Sequence, residues 1–307
     1  MSIPFIDTSI EPHLDWLELL QAFKRGHEFP RAEIGDTFLY RGDDTLLSRA
    51  AWIDGLGALV KTATIYPGNA KHDLPSVNGG VSLFSDRDGL LEALVDFHLV
   101  TKWKTAGDSL LAASLLARPE SRNITLVGAG TVARSMHNAY SALFPEAHFT
   151  IWSRRFDSAQ ALAGDLPRST ASDDLAAAVG GADIICTATM SKEPVIQGDW
   201  LRAGQHLDLI GAFRPDMREV DDTALTRAKL FVDSRDTTLD HIGELKDPLA
   251  RGVISKADII ADYYDISSGS FTRPDSDAIT ICKNGGGAHL DLMTSAYILE
   301  KWRSIQA

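Results

Sequence analysis

The chain has 307 residues, of which 44% are apolar and 23% charged, and its 30 basic and 42 acidic residues give a formal net charge of −12. This composition excludes a disordered chain, because it supplies enough apolar surface for a core. It also argues against bulk nucleic-acid binding, because an acidic chain repels phosphate. At about 100–200 residues per domain, the length predicts two domains.

The cysteines and the N-terminal segment indicate the cellular compartment. Cys186 and Cys282 are too few for a disulfide framework or a four-cysteine zinc site, and both lie in apolar runs. We predict two buried thiols on strands and no metal site. The N-terminal segment contains Asp7, Glu11 and Asp15 but no basic stretch typical of a signal peptide, and no window holds 18 consecutive apolar residues. The expectation is a cytoplasmic protein that does not contact a membrane.

The first part of the chain predicts a helix followed by an antiparallel sheet. Apolar residues recur on one helical face over residues 11–25. Short strand-like runs separated by Gly, Asp, Asn and Pro follow; they cover 37–41, 45–52, 57–67 and 79–86. A long helical pattern then covers about 97–117.

The pattern changes at Arg118-Pro119. From residue 121 onward, continuously apolar strands alternate with glycine turns and helices. This alternation predicts an α/β fold with a parallel sheet covered on both faces. The last segment, GAHLDLMTSAYILEKW, is helical and is expected to pack back on the first domain. We therefore predict one domain from 1–118 plus about 290–307 and a second from 119–289.

A glycine-rich turn in the second domain predicts a dinucleotide site. The segment VGAGTVA fits G-x-G-x-x-A at Gly128, Gly130 and Ala133, directly after the strand 124–127 and at the start of a helix. Gly128 would make the tight turn, Gly130 would admit the pyrophosphate, and Ala133 would allow close packing of helix and strand. The N–H groups from Thr131 onward would face the phosphate charge. The alternative is a glycine turn of a parallel sheet that binds no nucleotide.

The next strand indicates which dinucleotide binds. In NAD-binding proteins an acidic residue about 20 positions further on binds the ribose 2′-hydroxyl. Here the strand ends in Ser153, Arg154 and Arg155, and no carboxylate follows until Asp157. A hydroxyl and two guanidinium groups suit a 2′-phosphate, so we predict NADPH rather than NADH. The alternative is that both arginines only cap a solvated strand end. Thr187 completes the predicted cofactor contacts.

Several segments, in order, resemble the ornithine cyclodeaminase/μ-crystallin family over nearly the whole length. They are GALVKTATIYPGN, VSLFSDRDG, LVTKWKTAGDSLLAA, ITLVGAG, GAFRPDMREVDD, GEL at Gly243–Leu245 and ITICKNGGGAHLDL. The resemblance implies a Rossmann dinucleotide-binding domain plus an α/β domain for dimerisation and substrate binding, completed by both chain ends. It also implies a homodimer that uses a nicotinamide cofactor beside a small α-imino or α-amino acid.

The resemblance also implies the substrate site. Lys61 matches the family lysine that binds the substrate carboxylate, and a lysine inside the apolar run 57–66 needs a partner for its ammonium group. Lys104, in KTAG, stands where most family members have the arginine of an RTAA motif; lysine keeps the charge and loses the bidentate geometry. Arg49 is predicted as a further cation of this site. Arg31 is its alternative, and a purely structural role stays open for both arginines.

Phe213 is a departure from the cyclodeaminases. At this position those enzymes have an aspartate that acts as acid or base during ammonia loss, and phenylalanine cannot transfer a proton; Asp216 could replace it only if the loop differs. We therefore predict an NADPH-dependent imine reductase that converts Δ1-pyrroline-2-carboxylate or Δ1-piperideine-2-carboxylate to L-proline or L-pipecolate. The alternatives are ornithine cyclodeaminase, which forms L-proline and ammonia from L-ornithine, and a non-catalytic NADPH-binding protein like some μ-crystallin relatives.

Overall fold

The computed structural model describes residues 3–72 and 74–306, and it divides into two compact units. Unit 1 comprises Met1–Lys104 and Gly287–Ala307, and unit 2 comprises Thr105–Gly286. The chain passes from unit 1 to unit 2 within a helix. The predicted boundary at Arg118-Pro119 follows the end of that helix, and as a boundary between separable domains it stays a prediction.

The helices and strands are numbered in chain order. The helices are α1 (Trp16–Gly26), α2 (Phe97–Leu116), α3 (Thr131–Leu143), α4 (Phe156–Asp165), α5 (Leu175–Gly181), α6 (Asp222–Arg227), α7 (Arg235–Thr238), α8 (Gly243–Ala250) and α9 (Ala288–Gln306). The strands are β1 (Phe5–Ile6), β2 (Glu33–Arg41), β3 (Asp44–Ile53), β4 (Gly57–Ile65), β5 (Val77–Phe84), β6 (Leu91–Asp96), β7 (Asn123–Val127), β8 (His148–Trp152), β9 (Ser169–Ser172), β10 (Ile184–Thr187), β11 (His206–Leu209), β12 (Lys229–Val232), β13 (Ile259–Ala261) and β14 (Thr280–Lys283).

Unit 1 is built on a sheet with the strand order β1-β6-β5-β4-β3-β2. Strands β2 to β6 pair antiparallel with their neighbours, whereas β1 pairs parallel with β6. On β4 the side chains of Leu59, Lys61 and Ala63 are buried, and the residues between them are only half buried. Helix α9 packs against α1, β3, β4 and β5, so the last helix completes the unit that the N-terminal strands begin.

The predicted helix over residues 11–25 is wrong over its first five residues, 11–15. Residues Thr8–His13 form a short 3-10 helix, and α1 begins at Trp16. Asp15 has an extended backbone, which ends any continuous helix there. Its carboxylate accepts hydrogen bonds from the backbone N–H groups of Leu17 at 2.8 Å and Glu18 at 3.0 Å. An N-cap of this kind fixes the start of a helix, because it satisfies N–H groups that have no partner within the helix.

Unit 2 is built on a parallel sheet with the strand order β13-β12-β14-β11-β10-β7-β8-β9. This confirms the predicted α/β fold, and both cysteines are buried on strands, Cys186 on β10 and Cys282 on β14. Strand β7 lies between β8, the next strand in the chain, and β10, which the chain reaches only after β9. The order of the strands therefore reverses at β7. Open parallel sheets bind ligands beyond the carboxyl ends of their strands at such a switch point.

None of the described helices is both long and apolar enough to span a lipid bilayer. The longest are α2 and α9, and their buried residues include charged side chains such as Lys104 and Asp291.

Replacing Asp15 tests the assignment of the α1 start. Asp15→Ala removes the acceptor for two N–H groups and should lower the free energy of unfolding by about 1 kcal/mol, measured as a lower urea midpoint. Asp15→Asn keeps an acceptor oxygen and is expected to stay within a few tenths of a kcal/mol of the unmodified chain, by the same scale. Equal midpoints for the two variants would remove the capping role.

Candidate functional site

Lys61 lies in the interior of unit 1, with 6% of its surface exposed. Its ammonium group donates hydrogen bonds to Asp291 Oδ1 on α9 and to Thr101 Oγ1 on α2, both at 2.8 Å. The same nitrogen lies 4.7 Å from the centre of the Phe97 ring, a distance at which a cation and an aromatic face attract each other. The partner that the sequence required for a buried lysine is therefore supplied by two helices.

Burial controls the charge of this pair. Burial, together with the nearby charges of Lys104 and Arg49, lowers the pKa of Lys61 to about 8 against the attraction of Asp291. Burial also acts to raise the pKa of Asp291, but Lys61, Lys104 and Arg49 together hold that pKa below its ordinary value. At neutral pH both members are charged, and Lys61 has only a small margin before it loses its proton.

A row of charged side chains crosses the sheet at this level. Asp36 on β2 is directly opposite Arg49 on β3, and Arg49 is directly opposite Lys61 on β4. Directly opposite residues share a face, so all three side chains point toward the same side of the sheet. Arg49 donates to both oxygens of Asp36, from Nη2 at 2.8 Å and from Nε at 3.2 Å. The carboxylate thereby fixes the plane of the guanidinium group.

The structure brings together the three predicted cations of unit 1. Lys104 lies one helical turn after Thr101 on α2, is 7% exposed, and influences the pKa values of both Lys61 and Asp291. The charge of Arg49 on β3 also lowers the pKa values of Lys61 and Asp291. Three positive side chains in a largely buried place are a suitable site for a carboxylate.

Arg31, the alternative to Arg49, lies in another environment. Its side chain is exposed after the end of α1, and its charge adds to burial in lowering the pKa of His27 to about 4. The His27 ring is in edge contact with that of His289, 5.5 Å away, and burial lowers the pKa of His289 well below its usual value. Both imidazoles are neutral at physiological pH, so they add no charge to the cations nearby.

Sequence reasoning missed Asp291. The residue is fully buried on α9, within a helical segment whose neighbouring positions are also buried. A carboxylate in such a segment needs a positive partner, by the same argument that singled out Lys61. That argument identifies Asp291 as special, although it cannot name a partner 230 positions away in the chain.

In unit 2, the glycine turn has the shape that a pyrophosphate requires. Gly128 has φ of 129°, and a Cβ there would lie 2.7 Å from the carbonyl oxygen of Ala188. Gly130 precedes α3, and a Cβ there would meet no described atom within 4 Å. None of the described side chains caps the first N–H groups of α3, which begins at the exposed Thr131. Ala133, 1% exposed, allows the close packing of this helix.

The buried carboxylate of Glu219 fixes the neighbouring loops. It accepts hydrogen bonds from the backbone N–H and hydroxyl of Thr189, from the hydroxyl of Thr187, and from the N–H groups of Gly211 and Ala212, at 2.7–3.1 Å. These residues lie at the end of β10 or in the loops just after β10 and β11, at the carboxyl edge of the sheet. The hydroxyl of Thr187 is thus used inside the protein, and its cofactor contact stays a prediction.

Ser153, Arg154 and Arg155 follow β8, the strand beside β7. Ser153 is half buried, whereas Arg154 and Arg155 are exposed, and Arg155 immediately precedes α4. Because the sheet is parallel, this strand end lies at the same edge as the glycine turn. The placement agrees with a contact to the adenosine ribose, and the contact itself stays a prediction.

The loop after β11 contains the position at which cyclodeaminases have an aspartate. Phe213 is 57% exposed there. Asp216 forms ion pairs with Lys192 at 3.0 Å and Arg214 at 3.0 Å, and their hydrogen bonds lower its pKa. A carboxylate held in its charged form by two cations is poorly suited to supply a proton, which argues against Asp216 as a replacement acid. Across the described residues we also find no cluster of His, Cys, Asp and Glu suited to hold a metal ion.

Comparisons with known proteins identify the family of the chain. The sequence model of the ornithine cyclodeaminase/mu-crystallin family matches residues 53–306. The chain is 51% identical over 291 residues to a Delta(1)-pyrroline-2-carboxylate reductase of Paracoccus denitrificans, covering 93% of this chain and 92% of that protein. It is 32% identical to the ketimine reductase mu-crystallin of Mus musculus, with 80% and 76% covered.

A solved structure shows the same architecture. The Delta(1)-pyrroline-2-carboxylate reductase of Thermococcus litoralis, in complex with NADH and L-proline, superimposes with a TM-score of 0.89. It shares 25% sequence identity, and the match covers 99% of this chain and 98% of that one. The similarity therefore extends over both units of the chain.

The two glycines of the turn provide a matched pair of variants. Gly130→Ala should leave the melting temperature nearly unchanged, because its methyl group meets no described atom, but should weaken NADPH binding at least about tenfold by occupying the place of the phosphates. Gly128→Ala should lower the melting temperature as well, since its methyl group would collide with backbone. Thermal unfolding and fluorescence titration with NADPH measure the two effects. Wild-type NADPH affinity in Gly130→Ala would place the phosphates elsewhere.

Proposed function

The chain belongs to the ornithine cyclodeaminase/mu-crystallin family, and we propose that it reduces Δ1-pyrroline-2-carboxylate or Δ1-piperideine-2-carboxylate with NADPH to L-proline or L-pipecolate. It is an imine-reducing oxidoreductase that depends on a nicotinamide dinucleotide. The choice of NADPH and of the cyclic imino acid is the proposed part. The observation that carries it is the group formed by the buried Lys61 and Lys104 with the half-buried Arg49, in a chain whose similarity to the Paracoccus reductase runs over nearly its whole length.

The side chains of unit 1 bind and orient the imino acid. Lys61 and Lys104 bind its carboxylate, and Arg49, held in its plane by Asp36, adds a third positive charge. The reduction itself needs few further groups, because a protonated imine is already electrophilic. When bound, the dinucleotide would supply a hydride for C2 of the imine and would itself be oxidised; the electron pair of the C=N bond would then move to nitrogen, which keeps its proton.

Backbone and side-chain groups of unit 2 would hold the dinucleotide. Gly130 and the uncapped first turn of α3 would hold its pyrophosphate, because backbone N–H groups and the helix dipole favour negative charge there. Ser153, Arg154 and Arg155 bind the 2′-phosphate of the adenosine ribose by charge-assisted hydrogen bonds.

A cyclodeaminase activity is disfavoured by the loop after β11. Ring closure of L-ornithine with loss of ammonia requires proton transfers that reduction of a preformed imine does not. Phe213 cannot perform them, and Asp216 is engaged by Lys192 and Arg214. A binding protein without turnover would need the same cations and glycine turn, so only kinetics distinguishes it from a reductase.

We propose that the chain is a homodimer, formed through the face of the unit 1 sheet that is opposite Lys61. Apolar side chains are exposed on that face: Leu39 at 60%, Trp52 at 58%, Leu94 at 40% and Leu46 at 39%. Monomeric proteins rarely leave large apolar patches in water, and a second copy of the same face would cover these side chains. The cytoplasmic location also stays a prediction.

The function is tested directly by turnover. NADPH absorbance should fall when Δ1-pyrroline-2-carboxylate or Δ1-piperideine-2-carboxylate is added, and L-ornithine should release no ammonia.

Lys61→Ala should lower kcat/KM by a factor that corresponds to about 2–3 kcal/mol of lost transition-state stabilisation, the scale of a charged hydrogen bond. Lys104→Arg keeps the positive charge and should remain active. Ammonia release would indicate a cyclodeaminase; tight NADPH binding without oxidation by either imine would indicate the binding protein.

The cofactor choice is tested by replacing both arginines after β8. Arg154→Gln combined with Arg155→Gln should reduce kcat/KM for NADPH by about 10–100-fold and leave the value for NADH nearly unchanged, because only the 2′-phosphate loses its partners. Arg303→Gln, which removes an exposed cation of α9, is the control and should change neither value. A wild-type enzyme that prefers NADH would refute the assignment.

A further inference from the structure

The proposed mechanism does not explain why Lys61 is paired with a carboxylate. Asp291 is fully buried, and its Oδ1 accepts a hydrogen bond from Lys61 at 2.8 Å. Its Oδ2 makes no hydrogen bond with any described residue. The carboxylate of Asp291 competes with the substrate carboxylate, because both would bind the same ammonium group of Lys61. A site built only for anion affinity would not contain it, so Asp291 needs a function of its own.

The charges around Lys61 indicate that function. Lys104 on α2 and Arg49 on β3 repel a proton from Lys61, and so does the loss of water on burial. Asp291 on α9 is the group that acts in the opposite direction. Both carboxylate oxygens of Asp36 on β2 accept hydrogen bonds from Arg49, and burial keeps His289 on α9 neutral. The positive charge of Lys61 thus depends on Asp291.

The hydrogen bonds also determine where Lys61 points. An ammonium group has three N–H donors, and two of them are used by Asp291 and Thr101. The hydroxyl of Thr101 donates its own proton to the carbonyl oxygen of Phe97 at 2.7 Å, so its oxygen is turned toward Lys61 as an acceptor. The third N–H makes no hydrogen bond with a described residue, and the other two fix its direction.

We propose that Asp291 is a positioning residue that keeps Lys61 protonated and directs its remaining N–H group toward the substrate carboxylate. This inference rests on the proposed function, because it takes Lys61 as a carboxylate-binding group. It assigns to α9 the control of the pH range in which the imino acid binds. Above its pKa Lys61 is neutral, so carboxylate binding is lost as the pH rises through that value.

The consequence for the pH dependence has a definite sign. With Asp291 present, the pKa of Lys61 is about 8. Without that charge, burial and the two neighbouring cations are unopposed, and the pKa of Lys61 falls by at least about one unit. At pH 6, where Lys61 is still protonated, loss of the competing carboxylate should leave anion binding unchanged or tighter.

The test uses cyclopentanecarboxylate, a ring carboxylate that lacks nitrogen, and measures its dissociation constant by calorimetry from pH 6 to pH 9. In the wild type, affinity should be retained up to about pH 8. In Asp291→Asn, the midpoint should lie at least about one pH unit lower, with equal or tighter binding at pH 6. The curves then cross, whereas damaged packing would weaken binding at every pH. The same shift is expected in kcat/KM for the imine.

Control variants separate the two proposals. Thr101→Val removes a neutral partner of the same ammonium group and should move the midpoint by less than about half a unit, while Asp291→Glu should restore it toward the wild type. An unshifted midpoint in Asp291→Asn, or weaker binding at all pH values, would overturn the role of Asp291 and leave the reductase intact. Undiminished cyclopentanecarboxylate binding in Lys61→Ala would overturn the lysine site itself. Failure of the wild type to reduce either imine would overturn the proposed function.

Discussion

The buried ion pair of Lys61 and Asp291 is the interaction on which unit 1 depends. It joins the central strand β4 to α9, two elements 230 positions apart in the chain. Removing one member of a buried pair typically costs about 3–5 kcal/mol, because the remaining charge has lost both water and partner. Helix α9 therefore cannot separate from the sheet without a large loss of free energy. Helix α9 is part of the unit 1 fold for this reason.

Unit 2 uses a second buried carboxylate for a related purpose. Glu219 binds the loops after β10 and β11 through hydrogen bonds from backbone and side chains. A Cβ at Gly211 would lie 2.1 Å from the carbonyl oxygen of Thr189, so the two loops are in close backbone contact. Loops held in this way are ordered before any ligand binds, and binding then costs less conformational entropy.

Features that depend on residues close together in the chain are predictable from the sequence, whereas contacts between distant parts of the chain are not. The parallel strands, the glycine turn before α3 and the antiparallel sheet follow from apolar runs and turn residues within short windows. The start of α1 was misjudged because the apolar pattern continues across Asp15, whose capping role outweighs it. The need of Lys61 for a partner was predictable, but Asp291 and Glu219 act on distant parts of the chain, and one sequence contains no record of such contacts.

The local charge of the site also reconciles an acidic protein with an anionic substrate. The side chains of Lys61, Lys104 and Arg49, taken with the carboxylates of Asp291 and Asp36, leave one net positive charge, and the two histidines nearby are neutral. The net charge of −12 is distributed over a surface where salt screens it within about 10 Å at 0.1 M, while buried pairs are screened much less. An anion at this site would therefore respond to these few charges rather than to the net charge of the chain, and in the proposal above Asp291 limits the positive charge as well as keeping Lys61 protonated.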